Sequence, residues 1–155
     1  LLVFSDQPGK DVYRFPWLKD WLPLLEETVL GPLHIDLNSI VRMQLAKMPP
    51  GSRIKTHVDK GGWARSTHRV HVPIITHSDV FFVSMLGHSK HLWIPSIEGT
   101  VFEVNNIVHH AVRNHGEERV HLLIDWAEED PRSVTNLLPG QNCVYEQAGL
   151  VCDDQ

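Results

Sequence analysis

The chain has almost no cysteine: two in 155 residues, Cys143 and Cys152. That excludes a disulfide framework. One local bridge stays open. A hairpin over residues 143–152 turning at Gln147-Ala148 would set the two thiols opposite one another. A turn at Ala148-Gly149, the better turn chemistry, would slip them out of register. The expectation is two reduced thiols and a cytoplasmic protein. Long apolar runs are also missing. Nothing approaches the ~20 residues of a membrane-spanning helix. No basic run stands out and the formal charge is −5, which counts against nucleic acid or an anionic membrane as the main partner. No leader pattern is visible, although the chain opens on Leu1 rather than Met.

What is present suits one packed domain: 42% apolar and 21% charged residues. Pro16 to Leu30 reads as helix, with Trp17, Leu18, Trp21, Leu22, Leu25 and Val29 on one stripe. Pro23 should divide it into two short helices, and Gly31-Pro32 should stop it. The helical spacing makes both tryptophans expected core residues. From Leu33 the period changes to two. Val41, Met43 and Leu45 alternate with Arg42, Gln44 and Ala46, as on a strand. Further strands are expected at Arg53 to Asp59, Thr67 to Ile75, Val80 to Leu86, Lys90 to Pro95, Thr100 to Val104, Val108 to Arg113 and Arg119 to Trp126. Short strands at this spacing point to a sandwich or barrel. The expected division is a helical segment over residues 1–32, a strand core over 33–127 and an extension over 128–155.

Chemistry concentrates between His57 and Asp125. On a strand, residues two apart share a face, so His57 and Asp59 present an imidazole beside a carboxylate. A second His from a distant strand would complete two His and one carboxylate, the set that leaves three positions open on an octahedral metal. Alone, His-x-Asp is equally a surface hydrogen-bonded pair. The downstream order adds weight: His109-His110, Asn114 four residues beyond His110, then Arg119 opening an apolar strand.

His57-Val58-Asp59-Lys60-Gly61, Arg69-Val70-His71-Val72-Pro73-Ile74, Val104-Asn105-Asn106, His110-Ala111-Val112-Arg113-Asn114 and Arg119-Val120-His121-Leu122 together resemble the aspartyl/asparaginyl β-hydroxylase family of Fe(II)- and 2-oxoglutarate-dependent dioxygenases. The resemblance implies a mainly β fold, a double-stranded β-helix (jelly roll, cupin-like) with short N-terminal helices. It implies Fe(II) held by His57, Asp59 and His110, with His109 as the competitor of His110. It implies 2-oxoglutarate as cosubstrate, with His71 near its iron-side carboxylate, and Arg69 toward an acidic group of the substrate. Arg119 is the candidate for the distal carboxylate, because an arginine offers two parallel hydrogen bonds. The bland alternative is a surface ion pair with Glu117 or Glu118. Trp93 is a candidate floor of the substrate pocket, or a core tryptophan. His121 and Asp125 are expected to be structural. Trp63 and Arg65, after Gly61-Gly62, could reach over the site. The partners implied are O₂ and a small-molecule or peptide substrate. Two rivals stand: a cupin-like metal-binding module without oxygenase activity, and a zinc hydrolase on the same three ligands.

Overall fold

Period-two alternation folds as strands, and the register of those strands decides which residues face the site. The computed structural model describes residues 1–85, 87, 90–146 and 149–153, without the side chains of residues 145 and 149. Leu86, His88 and the turn residues Gln147-Ala148 lie outside the described residues. The strands are β1 (Val3–Phe4), β2 (Asp11–Arg14), β3 (Ile40–Met48), β4 (Arg53–His57), β5 (His68–Ile75), β6 (Val80–Met85), β7 (His91–Pro95), β8 (Phe102–Val104), β9 (His110–Asn114), β10 (Arg119–Trp126), β11 (Ser133–Asn136), β12 (Cys143–Glu146) and β13 (Gly149–Cys152). The helices are α1 (Leu18–Leu25) and the single turn α2 (Gly62–Ser66). Among the described residues no helix is long and apolar enough to cross a membrane.

A seven-stranded sheet runs β11-β2-β1-β3-β10-β5-β8, and a four-stranded sheet runs β4-β9-β6-β7. From β3 to β10 the chain changes sheet at every step except β6 to β7, building two layers, which is the double-stranded β-helix. The fold is mainly β, as the sequence leads one to expect.

The two faces of the large sheet bury different things. Val70 and Val72 of β5 and Leu122 and Ile124 of β10 turn outward and pack with Leu18, Leu25 and Val29. The alternate residues of the same strands, Arg69 and His71, and Arg119, His121 and Asp125, turn inward and are also buried. Between the sheets the apolar cluster is small: Met48, Phe82, Val104 and Val112, with Ile94 and Phe102 against it. The principal hydrophobic core therefore lies outside the barrel, under the helices, and the barrel interior is largely polar.

Several expectations are corrected. Residues 1–32 are not wholly helical, since β1 and β2 extend the large sheet. Pro23 sits inside α1, which passes directly into a π-helical turn over Glu26–Leu30. The proline removes one backbone donor without dividing the segment. Trp17 and Trp21 are each 48% exposed. The buried stripe is centred on Leu18, Leu25 and Val29, and the two tryptophans ride its edge. The cysteines are not free thiols. Register pairs Cys143 with Cys152 and Glu146 with Gly149, and the cysteines form a disulfide. Free thiols therefore no longer speak for a reducing compartment.

Candidate metal and anion site

β4 carries a bulge. Ile54 faces Val112, but three residues on, His57 faces His110, only two positions back along β9. The extra residue brings the two imidazoles directly opposite, ring centroids 4.3 Å apart. β4 ends at His57. Asp59 is therefore not on the strand; it lies in the loop beyond, where its N–H donates to the Asn106 carbonyl at 3.1 Å. Asp59 Oδ1 then lies 3.4 Å from His57 Nε2 and 3.9 Å from His110 Nε2. One ligand atom from each of His57, Asp59 and His110 falls within 4.8 Å of the others. His109 is exposed and outside this group.

Tautomers are set by backbone carbonyls, which can only accept. His57 Nδ1 donates to Lys55 O and His110 Nδ1 to Val108 O, both at 2.8 Å. Each Nε2 is left with its lone pair toward the shared centre, the arrangement of a metal-binding imidazole. Burial holds the pKa of His110 below its ordinary value, and Phe82 stacks on its ring at 5.4 Å. Two imidazole Nε2 atoms and one carboxylate oxygen fit a divalent first-row ion.

Deeper between the sheets lies a cation without an anion. Arg119 is 3% exposed. Its Nη2 donates to His121 Nδ1 at 2.7 Å, and Nη1 approaches Met48 Sδ at 3.9 Å. No carboxylate pairs with it among the described residues, and its Nε has no partner. Burial lowers its pKa to about 10. His121 must accept from Arg119, so its other nitrogen carries the proton and donates to Ser96 Oγ at 2.7 Å. His71 is buried too, stacked on Phe102 at 5.1 Å with its Nδ1 unpartnered. Burial first, then His121, Arg69, Arg119 and His110, push its pKa well down. The alternative, a surface ion pair of Arg119 with Glu117 or Glu118, does not form; Glu118 pairs with Lys47 instead.

The two residues expected to contact substrate stand in different settings. Trp93 pairs with Val83, which pairs with Ala111, all on the outer face of the small sheet. It is 50% exposed against Phe81 and Arg113. Its neighbour Leu92, opposite Ser84 and thus in line with His110, faces inward instead. One residue of register turns Trp93 away from the site. Arg69 is on the inner face, and each of its three nitrogens donates to a carboxylate. Nε and Nη2 donate to the two oxygens of Asp125 at 2.7 and 2.9 Å, and Nη1 donates to Asp59 Oδ2 at 2.5 Å. Trp63, from α2, lies over the guanidinium at 4.5 Å. Gly61 permits this: it adopts φ +123°, and a Cβ there would come within 2.8 Å of Trp63 Nε1. Arg65 is exposed and lies beside a groove of about 490 Å³ that also borders Thr67, Glu103 and Asn106. Asn106, part of the Val104-Asn105-Asn106 string quoted above, and Ser96 were given no site role from the sequence.

The sequence profile of the aspartyl/asparaginyl beta-hydroxylase family matches residues 21–129. The chain belongs to that family. No curated protein sequence matches it. Among solved structures, a 2OG-Fe(II) oxygenase family oxidoreductase from Burkholderia pseudomallei is similar at 20% identity and TM-score 0.62. The match covers 83% of this chain and 66% of that one, so this chain spans a little under two thirds of that protein. A prolyl-4-hydroxylase from Pseudomonas putida is similar at 18% identity and TM-score 0.45, over 68% of this chain and 62% of that one. A cupin domain from Bordetella pertussis stands at 22% identity and TM-score 0.43, over 57% and 83%. Family membership supports an oxygenase of hydroxylase type.

Proposed function

We propose that the protein is an Fe(II)- and 2-oxoglutarate-dependent hydroxylase. The observation that carries this reading is Arg119: a buried guanidinium with no carboxylate of its own, on the inner face of the barrel that also holds the His57, Asp59 and His110 group. An uncompensated buried charge is costly, and a carboxylate arriving with a ligand would relieve it. A metal store has no use for such a cation. A zinc hydrolase would need a free general base, whereas Asp59 and Asp125 are both held by Arg69.

His57, Asp59 and His110 would hold the metal, leaving three positions on an octahedral ion. Bound together, Fe(II) and 2-oxoglutarate would activate O₂: oxidation of 2-oxoglutarate to succinate and CO₂ would supply two electrons and take up one oxygen atom, leaving the other to hydroxylate an unactivated C–H bond. Arg119 would pair with the distal carboxylate of 2-oxoglutarate through its fork. His121, kept neutral, orients that fork through Nδ1. His71, also neutral, would offer its unpartnered Nδ1 to the iron-side carboxylate. Phe82, Phe102 and Val112 wall the space and exclude water. The substrate, an aspartyl or asparaginyl residue in a peptide or a small molecule, would approach along the groove beside Asn106, whose carbonyl anchors the Asp59 loop.

The test is 2-oxoglutarate affinity of the Fe(II)-loaded protein without O₂, read from its weak visible charge-transfer band. Losing one partner of a buried charge pair costs roughly 2–5 kcal/mol, or about 30- to 3,000-fold in affinity. Arg119→Ala should lose that much, Arg119→Lys should fall between, and iron affinity should hold in both. Equal 2-oxoglutarate binding by all three proteins would sink the role of Arg119. No band in the wild type, with metal still bound, would favour the metal module.

A further inference from the structure

Asp59 has two oxygens with different neighbours. Oδ1 faces both imidazole Nε2 atoms, at 3.4 and 3.9 Å. Oδ2 accepts from Arg69 Nη1 at 2.5 Å. Arg69 is in turn immobilised from three directions. β5 and β10 set it directly opposite Asp125. Asp125 takes Nε and Nη2 as a two-pronged pair at 2.7 and 2.9 Å, with both partners buried. Trp63 covers the guanidinium face at 4.5 Å and is itself backed by Arg42 at 4.6 Å. Arg42 Nε is tied to the Ser5 carbonyl at 3.0 Å. The guanidinium therefore cannot follow Asp59 if the carboxylate rotates.

We propose that Arg69 is a positioning residue that keeps Asp59 a one-oxygen ligand. The inference rests on the metal reading above and deepens it. A carboxylate is free to bind a metal through one oxygen or both. With both, Asp59 would take an additional coordination position. Two positions are needed for a chelating oxo-acid and one for O₂, so a two-oxygen Asp59 would crowd one of them out. Arg69 prevents this by engaging Oδ2 permanently, since guanidinium does not lose its proton in proteins. Lysine cannot substitute: a single ammonium cannot span Asp125 with two parallel bonds and still reach Asp59.

Co(II) is the probe, because its visible bands change in intensity and position with coordination number, and no turnover is needed. Wild type, Arg69→Lys and Asp125→Asn are titrated with Co(II) and checked for fold by near-ultraviolet circular dichroism. Loss of a group that orients a ligand typically costs about 10–100-fold in metal affinity. Arg69→Lys should show that loss together with an altered Co(II) spectrum, and Asp125→Asn a smaller change in the same direction. Should Arg69→Lys not fold, Asp125→Asn decides alone. Wild-type affinity and an unchanged spectrum in the folded variants overturn the inference while leaving the metal reading standing. A wild type that binds no Co(II) overturns the metal reading and this inference with it.

Discussion

The neutral state of His121 makes the fold acid-sensitive in a defined window. Burial, with Arg119 adding to it, lowers the pKa of His121 from 6.5 to about 3. The geometry agrees. Nδ1 faces the Arg119 donor at 2.7 Å, so a proton there would break a hydrogen bond and set two cations against each other without solvent. In the unfolded chain the same histidine protonates near its ordinary value. Below about pH 6.5 the unfolded state therefore binds more protons than the folded one, and stability falls as pH falls. The contribution is fully present above the unfolded pKa and is lost progressively down to the folded one. One pKa unit is worth about 1.4 kcal/mol, so descending from about pH 6.5 to about pH 5 should cost on the order of 2 kcal/mol. That is a large share of the ~5–15 kcal/mol of a typical domain.

The assay is urea unfolding of wild type and His121→Gln between about pH 7 and about pH 5. Gln can accept from Arg119 and donate to Ser96 but does not titrate. It should be less stable at neutral pH, since the shape of the ring is lost, yet its stability should fall less steeply with acid. The difference in slope should approach 1.4 kcal/mol per pH unit below the unfolded pKa. Asp125 is common to both proteins and drops out of that difference, and His71 is held down first by burial in both. Identical slopes would refute the reasoning: His121 would then be charged in the fold, or not buried in solution.

Three further outcomes are expected. Asn114→Ala should lower stability by about 2–4 kcal/mol, measured by Tm, because the buried amide donates to the Met48, Pro49 and Glu117 carbonyls and accepts from Gly116 N–H. Reducing the Cys143–Cys152 bridge should leave the Tm of the body nearly unchanged while exposing residues 143–152 to protease, because β12 and β13 pair only with each other among the described residues; a large fall in Tm would show that the hairpin is integral. Trp93→Ala should leave Co(II) and 2-oxoglutarate binding at wild-type levels, since the ring stands on the outer face; weakened binding would put Trp93 back in the site.

How much was legible from residues alone depends on distance along the chain. Periodicity is local, so β5 and β10 could be read almost to their ends. The order of motifs around His57 and His110 was enough to name the group that converges. What escaped was parity and pairing. Trp93 against Leu92 is a question of one residue of register, which composition does not answer. Arg69 and Asp125 are 56 residues apart and meet only because β5 and β10 pair antiparallel. β1 and β2 are too short to show a period. The exposure of Trp17 and Trp21 depends on where the stripe of α1 is centred, and helical spacing alone leaves that open.

The placement of the core explains why such a polar interior is tolerable. A barrel that buries Arg69, Arg119, His71, His121 and Asp125 gains little from apolar burial between its sheets. Stability must then come from the other face of the same strands, where Val70, Val72, Leu122 and Ile124 meet Leu18, Leu25, Val29 and Leu30. Burying each such side chain is worth roughly 1.5–3 kcal/mol. Alternation along β5 and β10 thus divides the work. Even-numbered residues hold the fold together from outside, and odd-numbered residues are released to carry charge inside. The helices that precede the barrel are part of this arrangement, because without their apolar face the large sheet would have no dry side. Losing α1 should therefore unfold the metal site although α1 packs on the opposite face of the large sheet.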